Sequence, residues 1–327
     1  MRKIYKFQDL PIKVNGRHRY TDAGALEVNW SASGFEMNFS AERVIISFVP
    51  DFNGGQPCYL GIFLDGRRVQ KFAVTTGAET LMLEDIPNGE HRLKVVKLSE
   101  SDCILKFETL ELVGENPEIL PPPEYSLRFE FLGDSITCGF GDIGDAGFPA
   151  FRTRDEDTTR TYAYLTSQHF GADIRVEACS GQGIVKNCRG EEGYRIPCFF
   201  EHVLRQVHEP NDFSGWIPQV VVINAGTNDN GGKVTDEDFY RESDKFLSRV
   251  REVYPDAQII WLYGMMGLRY KAVLDKVISE KNDPKMHFLP VACITDEADE
   301  KGAVGHPNEK GQKRAAKALI EKISSLI

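Results

Sequence analysis

Four polar or glycine-rich stretches carry residue types that together could perform acyl transfer: Gly133-Asp134-Ser135 in "FLGDSITCGFG", "SGQG" from Ser180 to Gly183, "NAGTND" from Asn224 to Asp229, and "GHPNEKG" around His306. A serine hydroxyl is a poor nucleophile near neutral pH unless a base takes its proton, and the tetrahedral intermediate needs donors aimed at its oxyanion. Ser135, His306, a glycine backbone N–H and the Asn228 side-chain amide meet that requirement between them, with the Ser135 N–H as a further donor. Each stretch alone also has an ordinary reading. Gly-Asp-Ser makes a good turn, "GTND" suits a strand-to-helix loop, and His306-Pro307-Asn308 could merely enter the last helix with Asn308 as its cap. What favours the joint reading is order and placement, which depend on the elements that carry the four loops.

Those elements form two halves. Residues 1–115 read as an all-β sandwich or jelly roll, because short alternating segments such as "RVIISFV", "CYLGIFL" and "HRLKVVKL" recur between turn signals, and "LDGR" supplies an Asp65-Gly66 hairpin turn. Residues 116–126, with Pro117 and Pro121 to Pro123, read as a stiff linker. From 127 to 327 the grammar becomes α/β: "LRFEFLG", "DIRVEAC", "QVVVINAG", "AQIIWLYG" and "MHFLPVA" are continuous apolar runs separated by helical segments, as expected of a parallel sheet covered on both faces. Open sheets of this kind place their sites at the carboxyl ends of the strands, and the four stretches follow predicted strand ends.

Order and residue type make this half resemble the SGNH (GDSL-type) hydrolases, a superfamily of esterases named for Ser, Gly, Asn and His in four blocks, here "GDSIT", "SGQG", "GTND" and "HPN". The resemblance implies a three-layer α/β/α domain with Ser135 as nucleophile, Gly181 and Asn228 as oxyanion donors and His306 as general base. Gly183 is the alternative glycine. Members usually carry Asp three residues before the histidine, whereas this chain has Ala303, so Asp296, Asp299 or a backbone carbonyl is left to orient the imidazole. The β-rich half ahead of it and the absent Asp are similar to family 2 carbohydrate esterases, which deacetylate xylan, glucomannan or related sugars. An acetylated carbohydrate is therefore the expected substrate, with no cofactor and no metal. Two alternatives are a lipid or thioester acyl hydrolase and a non-catalytic carbohydrate-binding protein.

Several other classes are disfavoured. The formal charge is −10 with no Lys/Arg stripe, which argues against nucleic acid. No run reaches the roughly 20 apolar residues of a membrane span, and the start lacks a signal peptide's apolar stretch, so a cytoplasmic protein is expected. Seven scattered cysteines suggest free, mostly buried thiols rather than a disulfide framework. Gly139, Gly141 and Gly144 have dinucleotide spacing, but no helix follows at once to receive a pyrophosphate. The long loop from Cys138 to Arg160 could wall the site, with Phe148, Phe151, Arg152 or Arg154 facing substrate. Trp30, Trp216 and Trp261 read as core residues rather than sugar platforms.

Overall fold

In "RVIISFV" Val44, Ile46 and Phe48 point inward and are buried while their neighbours are partly exposed, the period-2 pattern of a strand with one face on a core. The computed structural model describes residues 1–52, 56–100 and 102–327, and these form two units, Met1–Glu124 and Tyr125–Ile327.

The first unit is a sandwich of two antiparallel sheets. One has the order His18–Tyr20, Leu26–Val28, Cys103–Val113, Arg43–Phe52 and Glu79–Leu83, with Arg2–Lys6 also paired to Cys103–Val113. The other runs Glu118–Leu120, Gly34–Ser40, His91–Lys97, Cys58–Leu64 and Arg67–Val74, with Lys13–Asn15 paired to Gly34–Ser40. Between them lies an apolar core in which Phe7, Phe35 and Phe107 pack ring against ring. A bulge between Phe107 and Thr109 changes the inward parity, so Leu105 and Phe107 face the core before it and Leu110 and Leu112 after it. Asp65 and Gly66 both adopt positive φ, as a tight hairpin between Leu64 and Arg67 requires.

The segment expected as a linker contributes to this unit. Glu118–Leu120 pairs with Gly34–Ser40 as an edge strand, and the Asn38 amide donates to the Pro121 carbonyl at 2.8 Å. The prolines flank the strand rather than interrupt it, so the three residues that need N–H donors keep them, and the first unit extends to Glu124.

The second unit carries a five-stranded parallel sheet. In chain order its strands are β1 (Arg128–Gly133), β2 (Asp173–Ala178), β3 (Val220–Asn224), β4 (Gln258–Met265) and β5 (Met286–Cys293), arranged β2-β1-β3-β4-β5. All residues from Val220 to Ile223 are fully buried, the physical counterpart of their unbroken apolar run. The helices are α1 (Ser135–Cys138), α2 (Tyr162–Phe170), α3 (Ile196–Phe200), α4 (Thr227–Gly231), α5 (Asp236–Val253), α6 (Lys271–Lys281) and α7 (Glu309–Ser324). Amphipathic α5 buries Phe239, Phe246, Leu247 and Val250 and is capped by Thr235, whose hydroxyl accepts from the Asp238 N–H. The strand order reverses at β1, between β2 and β3, and a crevice at such a reversal is where a doubly wound sheet accommodates ligand. No helix among the described residues is long and apolar enough to cross a membrane.

Candidate active site

β1 ends at Gly133, and the chain turns at once into α1, whose first residue is Ser135. Asp134 caps this turn by accepting the Ile136 N–H at 3.0 Å. A Cβ at position 133 would fall 2.1 Å from the Thr137 hydroxyl, so glycine is what permits so abrupt a turn. Ser135 is left 5% exposed, at the carboxyl edge of the sheet.

His306 arrives from the other end of the chain, in the turn before α7. Its Nε2 lies 2.9 Å from Ser135 Oγ across 171 residues of sequence. Three contacts fix its position. Asn308 caps α7 by accepting the Lys310 and Gly311 N–H groups, so the capping role foreseen for it exists beside the site role of His306. One turn on, the buried Gln312 amide donates to the Ile136 carbonyl and accepts the Tyr162 N–H, both at 2.9 Å, tying α7 to the helix that carries Ser135. The Phe140 ring packs against the imidazole at 4.4 Å between centroids, and Phe151 stacks on Phe140 at the same distance.

The imidazole is oriented by the backbone. Nδ1 lies 3.2 Å from the Val304 carbonyl. Asp296 instead pairs with Lys301 at 2.9 Å and Asp299 with Lys310 at 2.5 Å, so neither carboxylate turns toward His306. Ala303 is 1% exposed, and a Cβ on Gly144 would come within 2.7 Å of the Ala303 Cβ and 3.0 Å of the Asp155 Cβ. Ala303 is thus closely packed against the long loop. The turn is pinned through Ala303 N–H to the Gly141 carbonyl at 3.0 Å and Val304 N–H to the Phe148 carbonyl at 2.9 Å. The long loop thus serves the site through Phe140, Phe148 and Phe151, while Arg152 lies over the Phe148 ring and pairs with Asp155.

Burial holds the His306 pKa below the ordinary imidazole value, a shift the Val304 carbonyl partly offsets. The neutral ring is therefore the resting form at neutral pH. With Nδ1 bound to a carbonyl, that nitrogen must carry the proton, which leaves Nε2 unprotonated facing the serine hydroxyl.

The candidate oxyanion donors sit just after β1, β2 and β3. The N–H groups of Ser135 and Gly181 donate to no atom among the described residues. Gly181 adopts φ +77 and its carbonyl accepts the Cys188 N–H at 2.8 Å. Gly183 is tightly packed: a Cβ there would lie 2.2 Å from the Lys186 carbonyl and 2.5 Å from the Asp229 carboxylate. That carboxylate accepts the N–H groups of Ile184, Val185 and Lys186 at 2.7 to 3.1 Å and shapes the glycine loop. The Asn228 amide donates to Asp134 Oδ2 at 3.0 Å and to the Gln182 carbonyl at 2.9 Å. Burial raises the fully enclosed Asp134 carboxyl to about 7, with the nearby Asp229 pushing the same way.

The four sequence-derived residues thus all follow strands at one sheet edge, Ser135 and Asn228 in the short helices α1 and α4 and Gly181 and His306 outside any helix. Sequence reading left open a backbone carbonyl as the partner of His306 without naming Val304, and it missed Asp134 beneath Asn228, the Asp229 carboxylate that binds the glycine loop and Phe140 on His306. Only Asp134 and Asp229 had a signal, since each adjoins a predicted site residue. Trp261 is fully buried with its indole N–H on the Ala225 carbonyl at 3.1 Å, which braces the end of β3 and excludes it as a sugar platform. Among the described residues no group of three or more His, Cys, Asp or Glu is placed to hold a metal.

The model of the GDSL-like lipase/acylhydrolase family matches residues 131–314, more than half the chain and all four blocks. The chain belongs to this family. Ahead of the GDSL-like domain, residues 14–123 match a second model, described as carbohydrate esterase 2 N-terminal. This GDSL-type hydrolase is 30% identical over 292 residues to the cellulase/esterase CelE of Acetivibrio thermocellus, covering 85% of this chain and 35% of that protein, so it spans about a third of that relative's length. It is 26% identical over 338 residues to an acetylxylan esterase/glucomannan deacetylase of Cellvibrio japonicus, covering 95% of this chain and 90% of the other. A family two carbohydrate esterase from Clostridium thermocellum, solved in complex with cellohexaose, superposes with a TM-score of 0.89 at 26% identity, covering 96% of this chain and 98% of that one.

Proposed function

We propose that this GDSL-type hydrolase is a serine esterase that removes acetyl groups from acetylated oligo- or polysaccharides through an acetyl-enzyme. His306 Nε2 takes the Ser135 proton as Oγ attacks the acetyl carbonyl. The Ser135 and Gly181 N–H groups receive the oxyanion, and Asn228 joins them as its amide turns from the Gln182 carbonyl. The protonated imidazole then gives its proton to the departing sugar oxygen, which frees the alcohol and leaves Ser135 acetylated. In the second half His306 deprotonates a water, which attacks the acetyl-enzyme; the acyl–oxygen bond breaks, the imidazolium returns its proton to Ser135 Oγ, and acetate leaves.

The observation that carries this reading is the 2.9 Å approach of His306 Nε2 to Ser135 Oγ, with two unengaged backbone N–H groups in the adjoining loops. A carbohydrate rather than a lipid substrate is supported by the company of the domain: the esterase-2 N-terminal match, a relative named for acetylxylan and glucomannan, and a cellohexaose-bound relative. Acetate release from acetylated xylo- and glucomanno-oligosaccharides tests the reading. The Ser135→Ala variant is expected to lose about three orders of magnitude or more in kcat, and equal rates in both proteins would remove Ser135 from the mechanism. Hydrolysis confined to esters of long acyl chains would turn the assignment to lipids.

A further inference from the structure

Inside the core of the first unit two thiols face each other from opposite sheets. Cys58 opens the strand Cys58–Leu64 of one sheet and Cys103 opens Cys103–Val113 of the other, and their sulfur atoms lie 3.5 Å apart. Both are almost fully enclosed, at 4% and 2% exposure, and neither forms a disulfide. Facing sheets commonly stand about 10 Å apart, and here two short side chains meet across that space.

We propose that Cys58 and Cys103 are an intramolecular disulfide site, closed by an oxidant of the disulfide or azo class and reopened by thiol reductants, which staples the two sheets of the sandwich together. Closure brings the sulfurs from 3.5 Å to a bond length of about 2.05 Å. Two S–H bonds break and one S–S bond forms. The two protons and two electrons pass to the oxidant, so that glutathione disulfide, for example, leaves as two glutathione thiols.

The surroundings assist the first step, in which a thiolate must form. Hydrogen bonding with Cys103 draws the Cys58 pKa below the ordinary thiol value against the opposing effect of burial, and the buried Lys97 ammonium acts in the same direction. Lys97 is itself held by the Ser99 and Glu100 carbonyls. The price of enclosure is slow access for an oxidant, which makes folding the easiest moment for closure. The bond would span a sequence separation of 45 residues.

The test uses the whole chain in two ways: the native protein is exposed to diamide, and the reduced, denatured protein is refolded in a glutathione redox buffer. Peptide mapping is expected to recover a Cys58–Cys103 linked peptide, lighter than its two free parts by the mass of two hydrogens, from at least the refolded sample. The linked protein should melt about 5 °C or more above the reduced one, and dithiothreitol should reverse the shift. Cys58→Ser and Cys103→Ser variants should show neither the peptide nor the shift. Recovery of Cys58 and Cys103 as free thiols after both treatments, or their linkage to other cysteines, overturns the proposal.

Discussion

The Val304 carbonyl oxygen lies 3.2 Å from Nδ1 of His306, two residues further along the same turn. In this chain that contact occupies the place where a carboxylate would otherwise hold the imidazole. A carbonyl fixes the tautomer as well as a carboxylate does, because it can only accept. It supplies less charge to stabilise the imidazolium that forms during the reaction. The arrangement depends on an unusual backbone, since Val304 has φ 55, in the left-handed region that β-branched residues avoid.

Val304→Asn separates the carbonyl from the side chain. Asparagine tolerates the left-handed region, so the variant is expected to gain about 1 kcal/mol of stability and to keep its kcat, as read by thermal melting and acetate release. A large fall in kcat with the melt unchanged would show that the Val304 side chain, and not its carbonyl, matters to His306.

Ala303→Asp is expected to fail as a repair. The new carboxylate would be buried at a position packed against Gly144, where the Asp155 carboxyl is near, so it is expected to lower the melting temperature without raising kcat. A rise in kcat would mean that the turn can open to admit the side chain.

Acidity should act on the reaction through His306. Its pKa is depressed by burial, so the active neutral form persists at neutral pH and is lost only as pH falls through a midpoint below the usual value of about 6.5. The profile of kcat/KM should therefore rise with pH along an acid limb centred below that value and then level off. An acid limb centred above 7 that persists in an Asp134→Asn variant, where the carboxyl raised to about 7 is gone, would contradict the role of a desolvated, neutral imidazole.

The two glycines of "SGQG" should respond differently to alanine. At 181 the positive φ and the Cys188 sulfur 3.2 Å from a new Cβ would displace an unengaged N–H, so kcat should fall about tenfold or more with KM little changed. At 183 the new Cβ would meet the Lys186 carbonyl and the Asp229 carboxylate, so the loss should appear first in folding stability. The reverse pattern, measured by steady-state kinetics and thermal melting, would move the oxyanion role to Gly183.

The sequence by itself determined which residue types were present and how they were ordered along the chain. Unbroken apolar runs marked the five parallel strands, because a strand buried on both faces has no polar side to show. Four loops at strand ends then pointed to Ser135, Asn228, His306 and a glycine of "SGQG", because a parallel sheet gathers successive strand ends along one edge, and the family resemblance favoured Gly181 over Gly183. Local alternation likewise exposed the sandwich, but not the Glu118–Leu120 edge strand, since flanking prolines hide a segment whose three N–H groups remain available. What orients His306 was decided only by the tertiary structure. A backbone carbonyl is common to every residue and leaves no trace in residue type, and whether it points at an imidazole depends on φ at Val304, on Gly141 and Phe148 gripping the turn, and on Phe140 beneath the ring. The same holds for Asp134 and Asp229, whose neighbours Ser135 and Asn228 were readable while their own partners, at the ends of other strands, became neighbours only on folding.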